Sequence, residues 1–416
     1  MTRELAVLLG GHVVANVERT RSGALRLAYT GAGDATPLSL SLPRGVTTHT
    51  GAPVSTFLDA LLPENPGVRA SIGRTHGVEG TDLLDLLAAV GKDCAGAVQF
   101  CPPGEIDQTL AREGALVPCS DTDIEIRLAA MSFNEDSSWT MPDEHWSLGG
   151  TQSKIALRLH GGAWHTAEGA EPTTHILKPG IRGMRAQALL EHISMRTAKL
   201  LGLDVAHTEY TSFKSENAIV VTRFDRHASE GGIVHRHHQE DVCQALGISS
   251  KYEDHGGPCA ADVVRLLRDA SQTAAQARDN VGRFLDALTF NTLIGAPDAH
   301  GRNYAVLLDG ENVTLAPLYD VATGLAYEQM SMQRVASMSL GGTFAFTDMN
   351  AASWRRLGDD VGVDGEELLT RARQLAADLP DAMEDALDEL EDDPDVPEVR
   401  DRLMGSLAAH TQRVVA

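Results

Sequence analysis

Three side chains near the middle of the chain have the types and spacing that phosphoryl transfer requires. Asp298 precedes Asn303 by five positions in a segment that also contains His300, and Asp320 follows downstream. Phosphoryl transfer depends mainly on positioning and charge neutralisation, so one Asp can orient a hydroxyl while an Asn and a second Asp bind a divalent cation. An Asp and an Asn in a glycine-containing loop also form ordinary turns, and the spacing alone leaves both interpretations open.

Patterns on both sides of these residues predict the elements that hold them. Apolar residues recur at helical spacing up to Ile294, and Gly295 and Pro297 then end the predicted helix. The run 304–318, with Asp-Gly at its centre, predicts a β-hairpin. Such a hairpin connects the two candidate metal ligands and brings them together.

A second group of residues could bind the phosphates of a nucleotide. Segment 147–154 is rich in small residues and enters a predicted strand, so its backbone amides could approach phosphates closely. It does not match the GxxxxGK[ST] pattern, and an ordinary turn is an equal interpretation. Lys178 ends an apolar strand, and Glu191 lies on the next predicted helix, where it could pair with that lysine. Taken singly, both are typical of surface charges.

Composition sets limits on the class of protein. The chain has 416 residues, 43% of them hydrophobic, which is enough for a substantial core and two or three subdomains. The formal net charge of −23 argues against nonspecific attraction to nucleic acid, so contact with DNA would need a basic partner. We find neither a transmembrane stretch nor a signal peptide and expect a cytoplasmic protein without membrane contact.

Cysteines and histidines show no pattern typical of a structural metal site. The five cysteines are odd in number and form no CxxC pair, so we expect reduced thiols. The cluster His235, His237 and His238 lacks supporting carboxylates and is typical of a polar loop. The acidic stretch 381–401 leaves an apolar stripe, which predicts a helix with one solvated face.

The order of the patterns predicts an α+β chain in three parts, 1–125, 126–225 and 226–416. We expect strands in the first fifty residues, including one at 37–42, and helices from 55 to 90. From Gln239 to the C-terminus the chain should be almost wholly helical apart from the hairpin. Strands and one helix followed by helices give the outline of a two-lobed kinase, although an outline alone does not establish function.

Ordered segments along most of the chain resemble the HipA family of bacterial serine/threonine kinases, the toxins of type II toxin–antitoxin modules. The segments that carry the resemblance are 57–64, 87–97, 147–157, 175–179, 222–226, 239–247, 295–303 and 315–321. The resemblance implies a two-lobed, protein-kinase-like fold with an N-terminal α/β module and a mostly helical C-terminal lobe.

The resemblance also implies the roles of individual residues. Asp298 would be the catalytic residue, with His300 assisting near the γ-phosphate, while Asn303 and Asp320 would hold Mg²⁺. Ser147 stands where the family is autophosphorylated, a modification that ejects the phosphate loop and stops the kinase. The residues implied in ATP binding are Gly149, Gly150, Thr151, Gln152, Ser153, Lys154, Lys178, Thr222, Phe224 and Asp225.

Within that ATP-binding set, 149–154 would cover the phosphates and Lys178 would contact them. The backbone of 222–224 would face adenine, and Asp225 would stabilise the nucleotide pocket. Ser153 stands where relatives often have a glutamate, and Tyr304 replaces the commoner Phe or Trp. Neither departure removes an oxygen or nitrogen donor from the implied site.

The implied function is that of an ATP- and Mg²⁺-dependent, non-specific serine/threonine protein kinase acting as a toxin. Its substrate would be a cytoplasmic protein such as an aminoacyl-tRNA synthetase. Its partner would be a HipB-like helix-turn-helix antitoxin, through which alone it contacts DNA, and its acidic surface suits a basic partner. A noncatalytic corepressor is the alternative. A small-molecule phosphotransferase shares the Asp-x4-Asn spacing, but the N-terminal module argues against it.

Overall fold

The computed structural model describes residues 2–229, 231–327 and 335–416, and it begins with a five-stranded antiparallel sheet covered by three helices. The strands are β1 (Glu4–Leu9), β2 (His12–Arg19), β3 (Leu25–Tyr29), β4 (Thr48–Thr50) and β5 (Gln99–Cys101), and the helices are α1 (Ala52–Ala60), α2 (Pro66–His76) and α3 (Leu83–Val90). The strand order is β4-β3-β2-β1-β5. Side chains of Asn65 and Asp82 accept hydrogen bonds from the first amides of α2 and α3, which fixes where these helices begin.

A six-stranded sheet forms the next layer. Its strands are β6 (Leu116–Pro118), β7 (Ile155–His160), β8 (Ala163–Ala167), β9 (His175–Lys178), β10 (Thr208–Phe213) and β11 (Glu216–Thr222). Their order is β10-β11-β9-β7-β8-β6. The helices of this part are α4 (Ile106–Leu110), α5 (Asp121–Phe133) and α6 (Gln187–Leu200). Gly161 and Gly162 both have positive φ, which permits the tight turn between β7 and β8.

The remainder is mainly helical. Its helices are α7 (Val242–Leu246), α8 (Ala260–Ala270), α9 (Ala274–Leu293), α10 (Ala351–Val361), α11 (Gly365–Asp388) and α12 (Val396–Val414). Its strands are β12 (Arg226–Ala228), β13 (Val234–Arg236), β14 (His238–Asp241), β15 (Ala305–Asp309), β16 (Asn312–Leu315), β17 (Val335–Leu340) and β18 (Thr343–Ala345). The order β14-β15-β16 confirms the predicted hairpin and adds a strand to it.

Two large hydrophobic cores run through these layers. The first joins both sheets, since Leu5 and Phe57 belong to the same buried cluster as Ile155 and Leu177. The second joins α6 to the helices of the C-terminal part. The predicted part boundary at residue 125 lies within α5, and the N-terminal sheet packs directly on the second sheet.

The N-terminal module also contacts the C-terminal lobe directly. Gln244 on α7 donates from Nε2 to the carbonyl oxygen of Phe57 on α1 at 3.0 Å. In return, the Ser41 hydroxyl donates to the carbonyl of Gln244 at 2.7 Å. The module is therefore anchored beside the candidate active site.

Two local predictions are wrong for physical reasons. Segment 37–42 contains only one isolated bridge, because its backbone bonds to a side chain: Tyr29 Oη accepts from the Leu38 amide at 3.0 Å and donates to the Leu42 carbonyl at 2.6 Å. The C-terminal part also contains β14 and the hairpin β17–β18, which are too short for their alternation to stand out from helical surroundings.

The buried carboxyl group of Glu240, on β14, should make the stability of the fold depend on pH. It is buried, its Oε1 accepts from the Leu40 amide at 2.7 Å, and its Oε2 has no partner among the described residues. Burial raises the pKa of Glu240 to about 8. The folded protein therefore binds this proton more tightly than the unfolded chain, so stability falls as pH rises from the unfolded value of 4.5 to about 8. We expect Glu240→Gln to stabilise the fold increasingly across that range in thermal unfolding, and an effect independent of pH would contradict this assignment.

Among the described residues, no helix combines the length and the apolar character needed to cross a membrane.

Candidate active site

The loop after α9 brings the three candidate oxygen donors together. It ends in a 3-10 turn, Gly301–Asn303, in which Asn303 is buried. Asn303 Nδ2 donates to the carbonyl oxygen of Asp298 at 2.8 Å and to that of Asp320 at 3.3 Å. One amide therefore fixes both segments, and no described residue donates to its Oδ1.

Asp320 is positioned by the backbone that precedes it. The Leu318 amide donates to the Asp204 carbonyl at 2.8 Å, and the Leu318 carbonyl accepts from the Ala206 amide at 2.9 Å. Tyr319 Oη donates to the Arg302 carbonyl at 2.6 Å. Asp320 itself has φ 57°, a left-handed conformation that is uncommon for residues other than glycine and is frequent at functional sites.

Lys178 joins two carboxylates. Its Nζ lies 2.8 Å from Glu191 Oε1 and 2.5 Å from Asp320 Oδ1. Lys178 and Glu191 are buried, whereas the Asp320 side chain is 42% exposed. Burial alone would lower the pKa of Lys178, but the two carboxylates raise it above its ordinary value. Partial burial would raise the pKa of Asp320, but the ammonium groups of Lys178 and Lys154 lower it to about 2.

Glu191 is a residue for which the sequence favoured a surface position, and this interpretation is wrong. It is 1% exposed and lies on the buried face of α6. Gln187, one turn earlier, donates to its second oxygen at 3.4 Å. The lysine–glutamate pair that the sequence offered as one alternative is therefore present.

The small-residue segment 147–154 lies beside this pair. Lys154 is buried, its Nζ donates to the Gly149 carbonyl at 2.7 Å, and it lies 4.8 Å from the centre of the Trp139 ring. Burial and the neighbouring Lys178 charge lower the pKa of Lys154 to about 8. Gly150 has φ 96°, and a Cβ there would lie 2.8 Å from Lys154 Nζ. The positive φ favours glycine at this position, since other residues rarely adopt it.

The remaining residues of the segment have different surroundings. Gln152 donates to the Pro179 carbonyl at 3.0 Å and to Gln187 Oε1 at 3.1 Å, which ties the segment to the end of β9. Ser153 is buried, and Thr151 is exposed. The backbone of the segment is therefore held next to Lys178 while its tip remains accessible.

Asp298 lies at the exposed side of the site. Its side chain is 66% exposed, and its Oδ1 accepts from Tyr252 Oη at 3.0 Å. His300 is buried beside it, with Nε2 4.0 Å from Asp298 Oδ2 and with Nδ1 lacking a partner among the described residues. Burial lowers the pKa of His300, so the ring is neutral at pH 7. Asp298 is thus accessible to an incoming hydroxyl.

Ser147 is buried in this conformation. Its hydroxyl donates to the Leu61 carbonyl at 2.6 Å, and its amide donates to the Asp93 carbonyl at 3.0 Å. The side chain is 2% exposed, so the segment must leave this position before the hydroxyl can accept a phosphate.

The residues implied in adenine binding lie at the end of β11 and directly after it. Thr222 is the last residue of that strand, and its amide donates to the His207 carbonyl at 2.9 Å. The Phe224 ring lies 5.6 Å from the ring of Tyr319, next to Asp320. Asp225 is buried, and its carboxylate accepts from Arg223 at 2.8 Å and from the Gly96 amide at 2.6 Å. Asp225 therefore bonds to the N-terminal module.

The donor set fits a magnesium ion bound together with phosphates. Among the described residues, no group of three His, Cys, Asp or Glu side chains forms a complete metal site. Mg²⁺ usually takes one or two protein oxygen ligands and completes its coordination with water and substrate phosphates. Asp320 and the free Oδ1 of Asn303 supply such a pair, so these residues would hold the ion only when a nucleotide is present.

Sequence reasoning missed several residues of this site. It assigned no role to Tyr252, which holds Asp298, or to Lys251 and Glu64, which form an ion pair at 2.8 Å. Glu64 closes one of the segments that carried the family resemblance, and this was the available signal. The partners are distant in sequence, so no local pattern pairs them.

The fold and site define the class of the protein: a two-lobed, kinase-like α+β chain with an ion-paired lysine and an Asp-x4-Asn loop between its lobes. The model for the HipA-like C-terminal domain matches residues 146–383, and that for the HipA N-terminal domain matches residues 5–101. The chain belongs to the HipA family, which confirms the predicted family and fold.

Individual relatives agree with this assignment. The serine/threonine-protein kinase toxin HipA of Shewanella oneidensis is 32% identical over 368 residues, which cover 84% of this chain and 81% of the relative. The Sinorhizobium fredii protein Y4mE is 32% identical over 400 residues, which cover 94% and 93%. A solved complex of Shewanella oneidensis HipA with HipB and operator DNA matches with a TM-score of 0.83 and 28% identity, covering 98% of this chain and 96% of that one.

Proposed function

We propose that this chain is an ATP- and Mg²⁺-dependent serine/threonine protein kinase that acts as the toxin of a type II toxin–antitoxin module. The observation that carries the proposal is the convergence of Lys178, Glu191 and Asp320 beside the Asn303 amide that also holds Asp298. Placed next to one another, these residues can serve as a phosphate-binding cation, two metal ligands and an accessible carboxylate.

Each side chain has a physical task in this proposal. Lys178 binds the α- and β-phosphates, and Glu191 keeps its ammonium oriented. Asp298 accepts a hydrogen bond from the acceptor hydroxyl and aligns it with the γ-phosphate, helped by neutral His300. Asn303 and Asp320 would hold Mg²⁺ together with the nucleotide, and the ion would neutralise phosphate charge. Segment 149–154 covers the phosphates, 222–224 faces adenine, and Asp225 supports the pocket through its bonds to Arg223 and Gly96.

Nucleotide binding tests the lysine assignment. We expect the double variant Lys178→Met/Glu191→Gln to lose most ATP affinity in calorimetric titration, because it removes the cation facing the phosphates. Changing both residues avoids leaving a buried charge without its partner. Lys199→Met, on the exposed side of the helix that carries Glu191, is the matched control and should bind as the native chain does. Equal affinity in all three proteins would exclude Lys178 from the nucleotide site.

The kinase regulates itself in this proposal through Ser147. A phosphate adds nearly two negative charges, and the buried Ser147 hydroxyl, bonded to the Leu61 carbonyl, leaves no room for it. Modification therefore holds the segment away from Lys178 and stops transfer.

The relatives support a partner for this chain, whereas the substrate class is inferred from the family resemblance. The Shewanella oneidensis protein forms a complex with HipB and operator DNA, and we infer that this chain binds a HipB-like antitoxin and reaches DNA through it. The net charge of −23 supports an indirect contact. The substrate is a cytoplasmic protein, with aminoacyl-tRNA synthetases as the class to test first. A noncatalytic corepressor role predicts operator binding with the antitoxin and no phosphate transfer.

A further inference from the structure

The segment that follows α1 contacts the small-residue loop at several points. The Leu61 carbonyl accepts from the Ser147 hydroxyl, and the Glu64 amide donates to the Gly150 carbonyl at 2.8 Å. Between these points, a Cβ at Gly149 would lie 2.6 Å from the Ala60 carbonyl oxygen. Residues 60–64 of the N-terminal module therefore form the surface on which the loop rests, and we call them the module strap.

The same strap reaches the catalytic loop through one side chain. Glu64 Oε1 accepts from Arg302 Nη1 at 2.7 Å, and Oε2 accepts from Lys251 Nζ at 2.8 Å. The carboxylate is only 15% exposed. Burial would raise the pKa of Glu64, but Lys251 and Arg302 lower it below its ordinary value, so it is ionised at pH 7. Glu64 thus makes two charge-assisted hydrogen bonds on the C-terminal lobe.

Both cationic partners of Glu64 are next in sequence to residues that hold the catalytic loop. Arg302 is the neighbour of Asn303 in the 3-10 turn, and its carbonyl accepts from Tyr319 beside Asp320. Lys251 precedes Tyr252, whose hydroxyl donates to Asp298. Glu64 therefore bonds to the sequence neighbours of Asn303 and Tyr252, the two residues whose side chains bond to Asp298.

We propose that Glu64 is a positioning residue that couples the small-residue loop to the catalytic loop, so that both are ordered together. The strap is held at its base by the bond from Gln244 to Phe57, which keeps it on the C-terminal lobe. When the Ser147 segment leaves the strap, the Glu64 amide loses its hydrogen bond to the Gly150 carbonyl. The hydrogen bond between the Glu64 carboxylate and Arg302 then weakens. Autophosphorylation would then disorganise the catalytic loop as well as displace the loop over the phosphates.

Arg302 depends strongly on this contact. Its Nε is buried and has no partner among the described residues, and its other bond, to the Ser249 carbonyl, is long at 3.3 Å. Glu64 supplies its short bond, and the carboxylates of Asp241 and Glu64 together compensate its charge. A change at Arg302 should therefore be transmitted to the loop through Glu64.

Hydrogen exchange without nucleotide tests the coupling independently of any catalytic activity. In Arg302→Met we expect amides of 147–154 to exchange at least about fivefold faster than in the native chain. Lys251→Met, which leaves the bond between Glu64 and Arg302 intact, is a second and milder variant and should act in the same direction. Arg265→Met removes an exposed arginine of the same lobe and should change nothing in the loop. Faster exchange confined to the catalytic loop in both variants would overturn the proposal.

Kinetics give the second arm, which rests on the proposed function. We expect Glu64→Gln to lower kcat about tenfold while the KM for ATP stays within about twofold, because alignment is lost and the nucleotide contacts remain. Glu64→Asp should restore part of the lost kcat. An unchanged kcat in Glu64→Gln, with native activity present, would refute the positioning role. Absence of activity in the native chain would instead refute the proposed function and leave the exchange result standing.

Discussion

Asp298→Asn is expected to lower phosphate transfer by about 10²–10⁴-fold, the range typical for loss of a general acid–base group. The amide oxygen of Asn can still accept the hydrogen bond from Tyr252, so the loop keeps its shape. What is lost is the negative charge that orients the acceptor hydroxyl and takes its proton. ATP affinity should stay close to native, because Asp298 is exposed on the acceptor side and does not contact Lys178.

Initial rates of phosphate transfer, measured beside ATP titrations, check this prediction. Asp254→Asn is the matched control, since Asp254 is an exposed aspartate close to Tyr252 in sequence and should transfer phosphate normally. Undiminished transfer by Asp298→Asn would remove Asp298 from the catalytic role.

Asp93→Asn is expected to cause the largest loss of stability, about 3–5 kcal/mol, as is typical when one partner of a buried ion pair is removed. Asp93 is 1% exposed and lies beside Arg226 at 2.9 Å, Arg236 at 3.0 Å and Arg223 at 3.3 Å. With Asp225 as the second carboxylate, three guanidinium groups face two acids. Removing Asp93 leaves three buried positive charges facing one carboxylate.

The pH dependence of the same cluster has a definite sign. Burial would raise the pKa of Asp93, but the three arginines lower it well below its ordinary value. Its stabilising contribution is therefore complete above the unfolded value of 3.8 and disappears as pH falls towards the folded value. Thermal unfolding of Asp93→Asn and of the exposed control Asp107→Asn, measured from pH 7 down to about pH 2, checks this, because the stability deficit of Asp93→Asn should be constant above 3.8 and shrink below it. Equal stability of the two variants at pH 7 would contradict the proposed energetic role.

The sequence predicted those parts of the fold that rest on local patterns. The hairpin after Asn303, the glycine turn between β7 and β8, and the helix ending before Gly295 depend on periodicity and turn residues, and all are present. The prediction of a strand at 37–42 was wrong because the Tyr29 hydroxyl, a tertiary partner, forms hydrogen bonds with the backbone of this segment. Side-chain competition of this kind leaves no trace in the alternation of the segment itself.

The site residues divide in the same way, into those that local spacing predicted and those that only the fold brings together. Asp298 and Asn303 are near in sequence, and their spacing singled out the loop in which the structure joins them. Glu191 appeared to be a surface charge because its burial depends on Lys178, which belongs to a different element. Glu64 and Arg302 are separated by 238 positions, so only the fold brings them into contact. The roles of these residues remain predictions until variants are measured.

The most direct test of the central claim is intact and peptide mass spectrometry of the purified chain after incubation with ATP and Mg²⁺, beside Asp298→Asn treated identically. The proposed function predicts one added phosphate, on Ser147, in the native chain and none in the variant. The contrary result is a native chain that binds ATP but phosphorylates neither its own Ser147 nor any added protein substrate. That result would contradict kinase function and favour the corepressor role.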